Sequence, residues 1–163
     1  MNARASQARA MEPRRRARRR ALQAIYQWQI TGQEAGEVLR QFLAAQDMKG
    51  VDRDHFERLL LGVAGEQEAI DAALEPFLDR PLGQVDLMER GVLRLGAWEL
   101  LHCPETPYRV VLDECVDLAH RFGATQGHSY VNAVLDRAAR GLRAAEAGSG
   151  PGSESGGEPG NDA

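Results

Sequence analysis

Residues 87–101, near the middle of the chain, have the pattern of a helix that carries apolar side chains on almost every face. Polar residues form only a narrow stripe, which consists of Glu89, Arg90 and Arg94. A helix of this kind is stable in water only when other elements cover most of its surface. The segment therefore predicts the central helix of a helical bundle.

Helical periodicity extends through most of the remaining chain, and no segment clearly predicts a strand. Apolar stripes at helical spacing lie within residues 17–28, 38–43, 56–63, 70–78, 111–122 and 130–142. Residues with the spacing of helix starts are Asp54 with Glu57, Asp86 with Glu89, and Thr106 with Pro107. The stretch from Arg80 to Val85 predicts a break between two halves. The predicted fold class is all-α, with about seven helices.

The two ends of the chain differ in composition from this helical body. Residues 147–163 are rich in Gly, Ser and Pro and lack large apolar side chains, so they cannot offset the entropy cost of ordering. We predict that this tail is disordered, and that residues 1–12 form a disordered basic extension. The predicted helical domain spans residues 13–146. Met11 is an alternative start of the chain.

Charge is distributed unevenly along the sequence. The formal net charge is −4, but residues 1–20 contain eight arginines and a single acidic residue, Glu12. This arm therefore carries +7, and the rest of the chain carries −11. A basic arm on an acidic body predicts a partner of opposite charge for each part.

The arginine run at residues 14–20 favours nucleic-acid binding. Guanidinium groups present planar, forked donors that suit phosphate, and clustered positive charge releases counterions from RNA or DNA. A solubilising arm and attraction to anionic lipid are the alternatives. Lipid binding is disfavoured because the arm lacks interleaved large apolar side chains.

The sequence offers no pattern typical of an enzyme. Phosphate-binding glycine loops and the nucleophile elbow are absent, and four scattered histidines lack the spacing of a metal pair. We therefore predict no catalytic site, cofactor or metal. The two cysteines predict reduced thiols, and with no apolar run long enough to span a bilayer we expect a cytoplasmic protein. Asp113, Glu114 and Asp117 are expected to form a solvated helix face; alternatively, Glu114 and Asp117 help to bind a basic partner.

Several segments, taken together and in order, resemble the NusB family of bacterial transcription antitermination factors over residues 13–142. They are residues 14–18, 21–28, 41–43, 76–78, 89–94, 98–100, 107–111, 118–119, 122–123 and 130–136. The resemblance implies two packed three-helix-like bundles and a protein that is not an enzyme. It implies binding to the single-stranded boxA element of nascent ribosomal RNA, together with the ribosomal protein NusE, in an antitermination complex on RNA polymerase. A homodimer of the free protein is a further expectation.

The same resemblance assigns candidate site residues. Those expected to bind RNA are Arg14, Arg15, Arg16, Arg18, Arg94, Ser129, Tyr130 and Asn132, and those expected to bind NusE are Tyr26 and Glu89. Tyr130 stands where the family usually has another aromatic residue, which can stack on an unpaired base. Ser129 stands where the family commonly has lysine, which removes one phosphate contact. Two alternatives stay open here: Tyr130 as a core residue, and Arg94 in an internal salt bridge.

Two other classes of function remain. One is a stand-alone RNA-binding module related to the NusB-like N-terminal domain of ribosomal RNA cytosine methyltransferases. The other is a helical adaptor that binds only protein.

Overall fold

The computed structural model describes residues 3–45 and 47–144, and within these it contains seven α-helices and no strand. The helices are α1 (Ala3–Thr31), α2 (Ala35–Ala45), α3 (Arg53–Gly65), α4 (Gln67–Leu74), α5 (Leu87–His102), α6 (Tyr108–Phe122) and α7 (Gly127–Leu142). Two 3₁₀ turns, Glu75–Phe77 and Leu82–Gln84, occupy the break predicted between the halves. The all-α prediction is confirmed, and the tail at residues 147–163 lies outside the described residues.

Helix α5 is the centre of the molecule, as its all-round apolar pattern predicted. Helices α1, α2 and α3 pack against one another, and so do α5, α6 and α7. Helix α5 joins these two groups because it also packs against α1, α3 and α4. Every residue from Gly91 to Leu100 is buried. The two three-helix bundles therefore share one hydrophobic core.

The N-terminal extension differs from its prediction, because residues 3–12 are the first turns of α1. Alanine, arginine and methionine all have high helix propensity, which an argument based on apolar stripes overlooks. Pro13 lies inside the helix, and its carbonyl accepts a hydrogen bond from the backbone N–H of Asp52 at 3.0 Å. This bond ties the start of the arm to the loop that precedes α3.

The helix starts agree with the sequence to within a residue or two. Asp52, not Asp54, caps α3 by accepting a hydrogen bond from the backbone N–H of His55. Asp86 caps α5 as predicted, and it accepts hydrogen bonds from the backbone N–H groups of Met88 and Glu89.

Across residues 3–45 and 47–144, no helix is both long and apolar enough to cross a membrane.

Candidate nucleic-acid interface

Four cationic side chains from two separate parts of the chain line one groove of about 310 Å³. We call it the basic groove; it is bounded by α1, the loop between α2 and α3, and the end of α6. Its lining residues are Arg16, Arg19, Arg20, Gln23, Asp47, Lys49, Val51 and Phe122. Phe122 is 36% exposed, which is high for a large aromatic side chain. The groove thus combines positive charge with an accessible aromatic ring.

Helix geometry explains the α1 side of the basic groove. Residues three, four and seven apart share a helix face, so Arg16, Arg20 and Gln23 point the same way. The opposite face carries Ala21 and Ile25, which are fully buried in the core. Burial of the alanine-rich face therefore turns these polar side chains outward.

A tight turn brings the lysine to the groove. Gly50 has a φ of +73°, close to the +68° of Gly32. This is a left-handed conformation that glycine adopts without strain. The carbonyl of Lys49, just before this turn, accepts a hydrogen bond from Nη1 of Arg16 at 3.4 Å. The loop before α3 is thereby held against the arm.

Much of the positive charge in the basic groove is uncompensated. Within the described part of the chain, neither Arg19 nor the ammonium group of Lys49 forms an ion pair. Arg16 pairs with Glu12 at 3.3 Å, and Arg20 donates to the side-chain oxygen of Gln23 at 3.1 Å. Both contacts are solvent-accessible and weak enough to be exchanged for phosphate.

Arg14 and Arg15 flank the groove and are held by acidic residues of the body. Nε of Arg14 lies 3.8 Å from Asp52, and Nε of Arg15 donates to Glu114 at 2.8 Å. The hydrogen bond from Arg15 to Glu114, together with the charge of Glu114, raises the pKa of Arg15. Glu114 is only 8% exposed, so the prediction of a solvated acidic face is wrong for this residue.

Arg18 is buried and internally paired, so it presents no free guanidinium for a phosphate, contrary to the prediction of an RNA contact. Its side chain is buried and donates two hydrogen bonds from Nε to the Glu99 carboxylate, at 2.9 and 3.1 Å. Nε2 of His55 lies 2.9 Å from the same carboxylate. Burial acts to raise the pKa of Glu99, but the His55 hydrogen bond and the Arg18 charge outweigh it and lower that pKa. We call Arg18, Glu99 and His55 the buried triad.

Arg94 is also internal, and the alternative of an internal salt bridge describes it correctly. It is 7% exposed and binds both carboxylate oxygens of Asp71, at 2.9 and 3.0 Å. Its Nη1 donates to Gln29 at 3.0 Å, and its guanidinium lies 5.9 Å from the centre of the Trp28 ring. Because the guanidinium of Arg94 is already hydrogen-bonded to Asp71 and Gln29, it is not available to bind phosphate.

Tyr130 lies on α7 and is not one of the residues that line the basic groove. The Arg80 guanidinium covers one face of its ring at 4.6 Å from the ring centre. Partial burial, and then the neighbouring Asp79 carboxylate, raise the pKa of Tyr130. Ser129 and Asn132 are exposed on the same helix. None of these three candidates lines the basic groove.

The two candidates for partner binding differ in accessibility. Tyr26 is half-buried on α1. Glu89 is 8% exposed, with its carboxylate against the start of α7. Glu89 therefore does not offer a free surface for a partner, which corrects the prediction for this residue.

Four carboxylates line a second and larger groove of about 690 Å³, formed by α4 and the two 3₁₀ turns. We call it the acidic groove. Its lining residues are Glu68, Asp71, Ala72, Glu75, Leu78, Asp79, Arg80, Pro81 and Leu82. Asp71 and Asp79 are paired with arginines, but Glu68 and Glu75 form no ion pair within the described residues. The four carboxylates are three or four residues apart, which is the spacing of one helix face, but the predictions from sequence did not use this signal.

Sequence reasoning missed four residues of the basic groove: Arg19, Arg20, Lys49 and Phe122. Arg19 and Arg20 belong to the arginine run at residues 14–20 but were not among the predicted RNA contacts. Lys49 is the only lysine in the chain, and Phe122 precedes a helix-ending glycine. Each of these residues is visible in the sequence, but only the fold brings them together in one groove.

Among the described residues, no group of three or more His, Cys, Asp or Glu side chains could hold a metal ion.

Comparisons with known proteins agree with this architecture. The model of the NusB family matches residues 15–140. The transcription antitermination protein NusB of Nitrosococcus oceani is 50% identical over 133 residues, which cover 82% of this chain and 89% of that protein. Its counterpart from Hahella chejuensis is 48% identical over 137 residues, covering 84% of this chain and 92% of that protein.

Solved structures give the same answer. T. maritima NusB superposes with a TM-score of 0.71 at 29% identity, covering 78% of this chain and 91% of that one. A crystal structure of antitermination factors NusB and NusE in complex with dsRNA has a TM-score of 0.74 at 26% identity. It covers 80% of this chain and 98% of that one. The fold, the family model and relatives matched over most of their length agree: this chain belongs to the NusB family.

Proposed function

We propose that this chain is a transcription antitermination factor of the cytoplasm that binds a single-stranded boxA-type RNA together with NusE. It acts as a non-enzymatic component of an antitermination complex on RNA polymerase. The observation that carries the proposal is the basic groove, in which four cationic side chains and an exposed aromatic ring line one depression. Its relatives are named transcription antitermination proteins, and one related structure is of NusB and NusE in complex with dsRNA.

The chemistry of the basic groove suits a single RNA strand. Arginine and lysine side chains neutralise successive phosphates and release counterions. An exposed ring such as Phe122 stacks on an unpaired base, which a base within a duplex cannot offer. The groove therefore favours single-stranded RNA over a closed helix.

The acidic groove suits the protein partner. Ribosomal proteins are basic, and opposite charges steer two proteins into the right orientation. Glu68 and Glu75 form no ion pair among residues 3–45 and 47–144, while Leu78 and Leu82 add apolar surface. RNA and NusE thus have separate surfaces on this chain.

Replacing Phe122 with alanine is expected to weaken RNA binding about 5- to 150-fold, because stacking on one base contributes about 1–3 kcal/mol. Stability should change little, since the ring is partly exposed. Fluorescence anisotropy with labelled RNA measures the first effect, and thermal denaturation measures the second. Leu43→Ala, another exposed apolar residue on a different helix, is the matched control. Equal affinities of the two variants would remove Phe122 from the interface.

Replacing Glu68 and Glu75 with glutamine is expected to slow association with NusE and weaken the complex, most clearly at low salt. RNA binding by the chain alone should stay unchanged, because neither residue lies in the basic groove. Surface plasmon resonance with immobilised NusE gives both rate constants. An association rate equal to that of the unmodified chain would exclude the acidic groove as the NusE surface.

The proposed function is tested by titrating a fluorescent boxA-type single-stranded RNA with the chain, alone and in the presence of NusE. We expect binding by the chain alone and tighter binding when NusE is present. NusE binding without any RNA binding would instead identify a protein-only adaptor. RNA affinity that NusE does not change would refute the joint binding.

A further inference from the structure

Arg143, the residue that follows α7, fixes the end of this helix against the connection between α5 and α6. Its side chain is 9% exposed, and its guanidinium donates hydrogen bonds to four backbone carbonyls. The acceptors are the carbonyls of Glu99, Leu100, Cys103 and Thr106. Carbonyls at the end of a helix carry a partial negative charge, which a guanidinium offsets. The chain beyond Ala144 therefore starts from a fixed point beside this connection.

A smaller groove, of about 200 Å³, has this connection on one wall and the arginine arm on the other. We call it the side groove, and its lining residues are Met11, Arg14, Arg18, Glu105, Thr106, Pro107 and Val110. The carbonyl of Thr106, on the first wall, accepts a hydrogen bond from Arg143. Arg14, on the second wall, stands two residues before Arg16 of the basic groove. The end of α7 and the basic groove thus both adjoin the side groove.

The sequence continues beyond Ala144 with a segment of one sign of charge. We call residues 145–163 the acidic tail. It contains no lysine or arginine and four acidic residues, which are Glu146, Glu154, Glu158 and Asp162. The stretch 147–153 is uncharged, so it can cross the side groove past Glu105 without repulsion. The last three acidic residues lie beyond that stretch and oppose an arm that carries +7.

The acidic tail is long enough to reach the basic groove. A chain of 19 residues rich in Gly and Ser has an average end-to-end distance of about 22–26 Å. Arg14 and Arg20 are separated by only about 9 Å along α1, because each helical residue rises about 1.5 Å. Attachment to the same molecule also gives an effective concentration on the order of millimolar, so that individually weak ion pairs suffice.

We propose that the acidic tail binds the basic groove of its own chain and competes there with RNA. This inference rests on the proposed function, in which RNA binds the same groove. Arg19 and the ammonium group of Lys49 form no ion pair with any described residue, so they offer charge that the tail carboxylates can neutralise. Exposed ion pairs of this kind are weak. RNA, which gains further from counterion release, therefore displaces the tail.

Carbodiimide crosslinking tests the contact specifically, because Lys49 is the only lysine in the chain. The reagent joins a carboxylate and an amine that touch, as an amide. We expect the full chain without RNA to give a link between Lys49 and the acidic tail, identified by mass spectrometry of the monomer band. A boxA-type single-stranded RNA should suppress this link, and so should 1 M salt, at which the Debye length is only about 3 Å.

The crosslinking result has a direct control in Lys49→Arg, which keeps the charge and removes the reactive amine. This variant should give no link. Absence of the link in the unmodified chain, or a link confined to crosslinked dimers, would overturn the inference. In the second case the tail would bind another copy and not its own chain.

RNA affinity tests the competition. The full chain with Glu154→Gln, Glu158→Gln and Asp162→Asn should bind RNA about 3- to 30-fold more tightly at low salt, since three exposed ion pairs that compete with RNA are lost. Fluorescence anisotropy with the same boxA-type RNA measures this gain. The gain should disappear at high salt, where the tail no longer binds the groove.

A matched control removes the same charge from exposed positions outside both grooves, by Glu37→Gln, Asp54→Asn and Glu57→Gln. It should raise RNA affinity much less. Equal affinities of the two triple variants would overturn the competition, because net charge alone would then explain the gain. A tail link to Lys49 in a chain that binds no RNA, with or without the tail charges, would instead refute the proposed function.

Discussion

Replacing Arg19, Arg20 and Lys49 together with glutamine is expected to weaken binding of single-stranded RNA on the order of 10- to 100-fold at low salt. All three line the basic groove. Each phosphate that a cation neutralises contributes about 0.7 to the slope of log affinity against log salt for a single strand. The variant should therefore also lower the magnitude of that slope by about 2.

Anisotropy titrations at four or more salt concentrations measure both quantities. The matched control replaces Arg40, Arg109 and Arg140 with glutamine, which removes the same charge from exposed positions outside the basic groove. We expect the control to keep most of the slope. If both variants lose equal affinity and slope, net charge and not the basic groove governs binding.

Replacing Arg18 with methionine is expected to lower the free energy of unfolding by about 3–5 kcal/mol. The reason is that Glu99, which is fully buried, would keep its charge without its arginine partner. Urea denaturation followed by circular dichroism measures the loss. Arg14→Met, at a partly exposed arginine one turn earlier, should cost well under half as much.

A second replacement separates loss of the pair from loss of packing. With Glu99 also changed to methionine, no unpaired charge remains, and most of the lost stability should return. If the double variant is less stable than Arg18→Met alone, the buried triad stabilises the fold by more than the mutual neutralisation of its charges.

The buried triad also sets a pH dependence. The pKa of Glu99 lies below its ordinary value in the folded protein, so its contribution is present above the unfolded carboxyl pKa of about 4.3. That contribution is lost as the pH falls through the lower folded value. We expect stability to fall with acid over this range, and to fall less steeply in Glu99→Gln. Parallel curves for the two proteins would contradict the assignment.

The architecture could be predicted because it depends on patterns within single helices. The all-round apolar segment at residues 87–101 identified the central helix, and its burial against five other helices agrees with that reasoning. The α-helical start at Ala3 was missed because residues 3–12 have helix propensity without an apolar stripe.

The site could be predicted only in part, because pairing depends on residues far apart in sequence. Arg18 resembles its neighbours in the arginine run, yet its partner Glu99 stands 81 residues away. Its spacing from Ala21, Leu22 and Ile25 does place it on the buried face of α1, so helical periodicity could have identified it. No such signal marked the approach of Lys49 to the arm, which follows from the turn at Gly50.

We propose that RNA lies in the basic groove, and photo-crosslinking identifies the residues that bound RNA contacts. A single-stranded boxA-type RNA containing 4-thiouridine would be crosslinked to the chain, with and without NusE, and the modified peptides identified by mass spectrometry. We expect crosslinks within residues 16–23, 47–51 and 120–126, the segments that contain the lining residues of the basic groove. Crosslinks concentrated on α4 and the acidic groove, with none in these three segments, would contradict it.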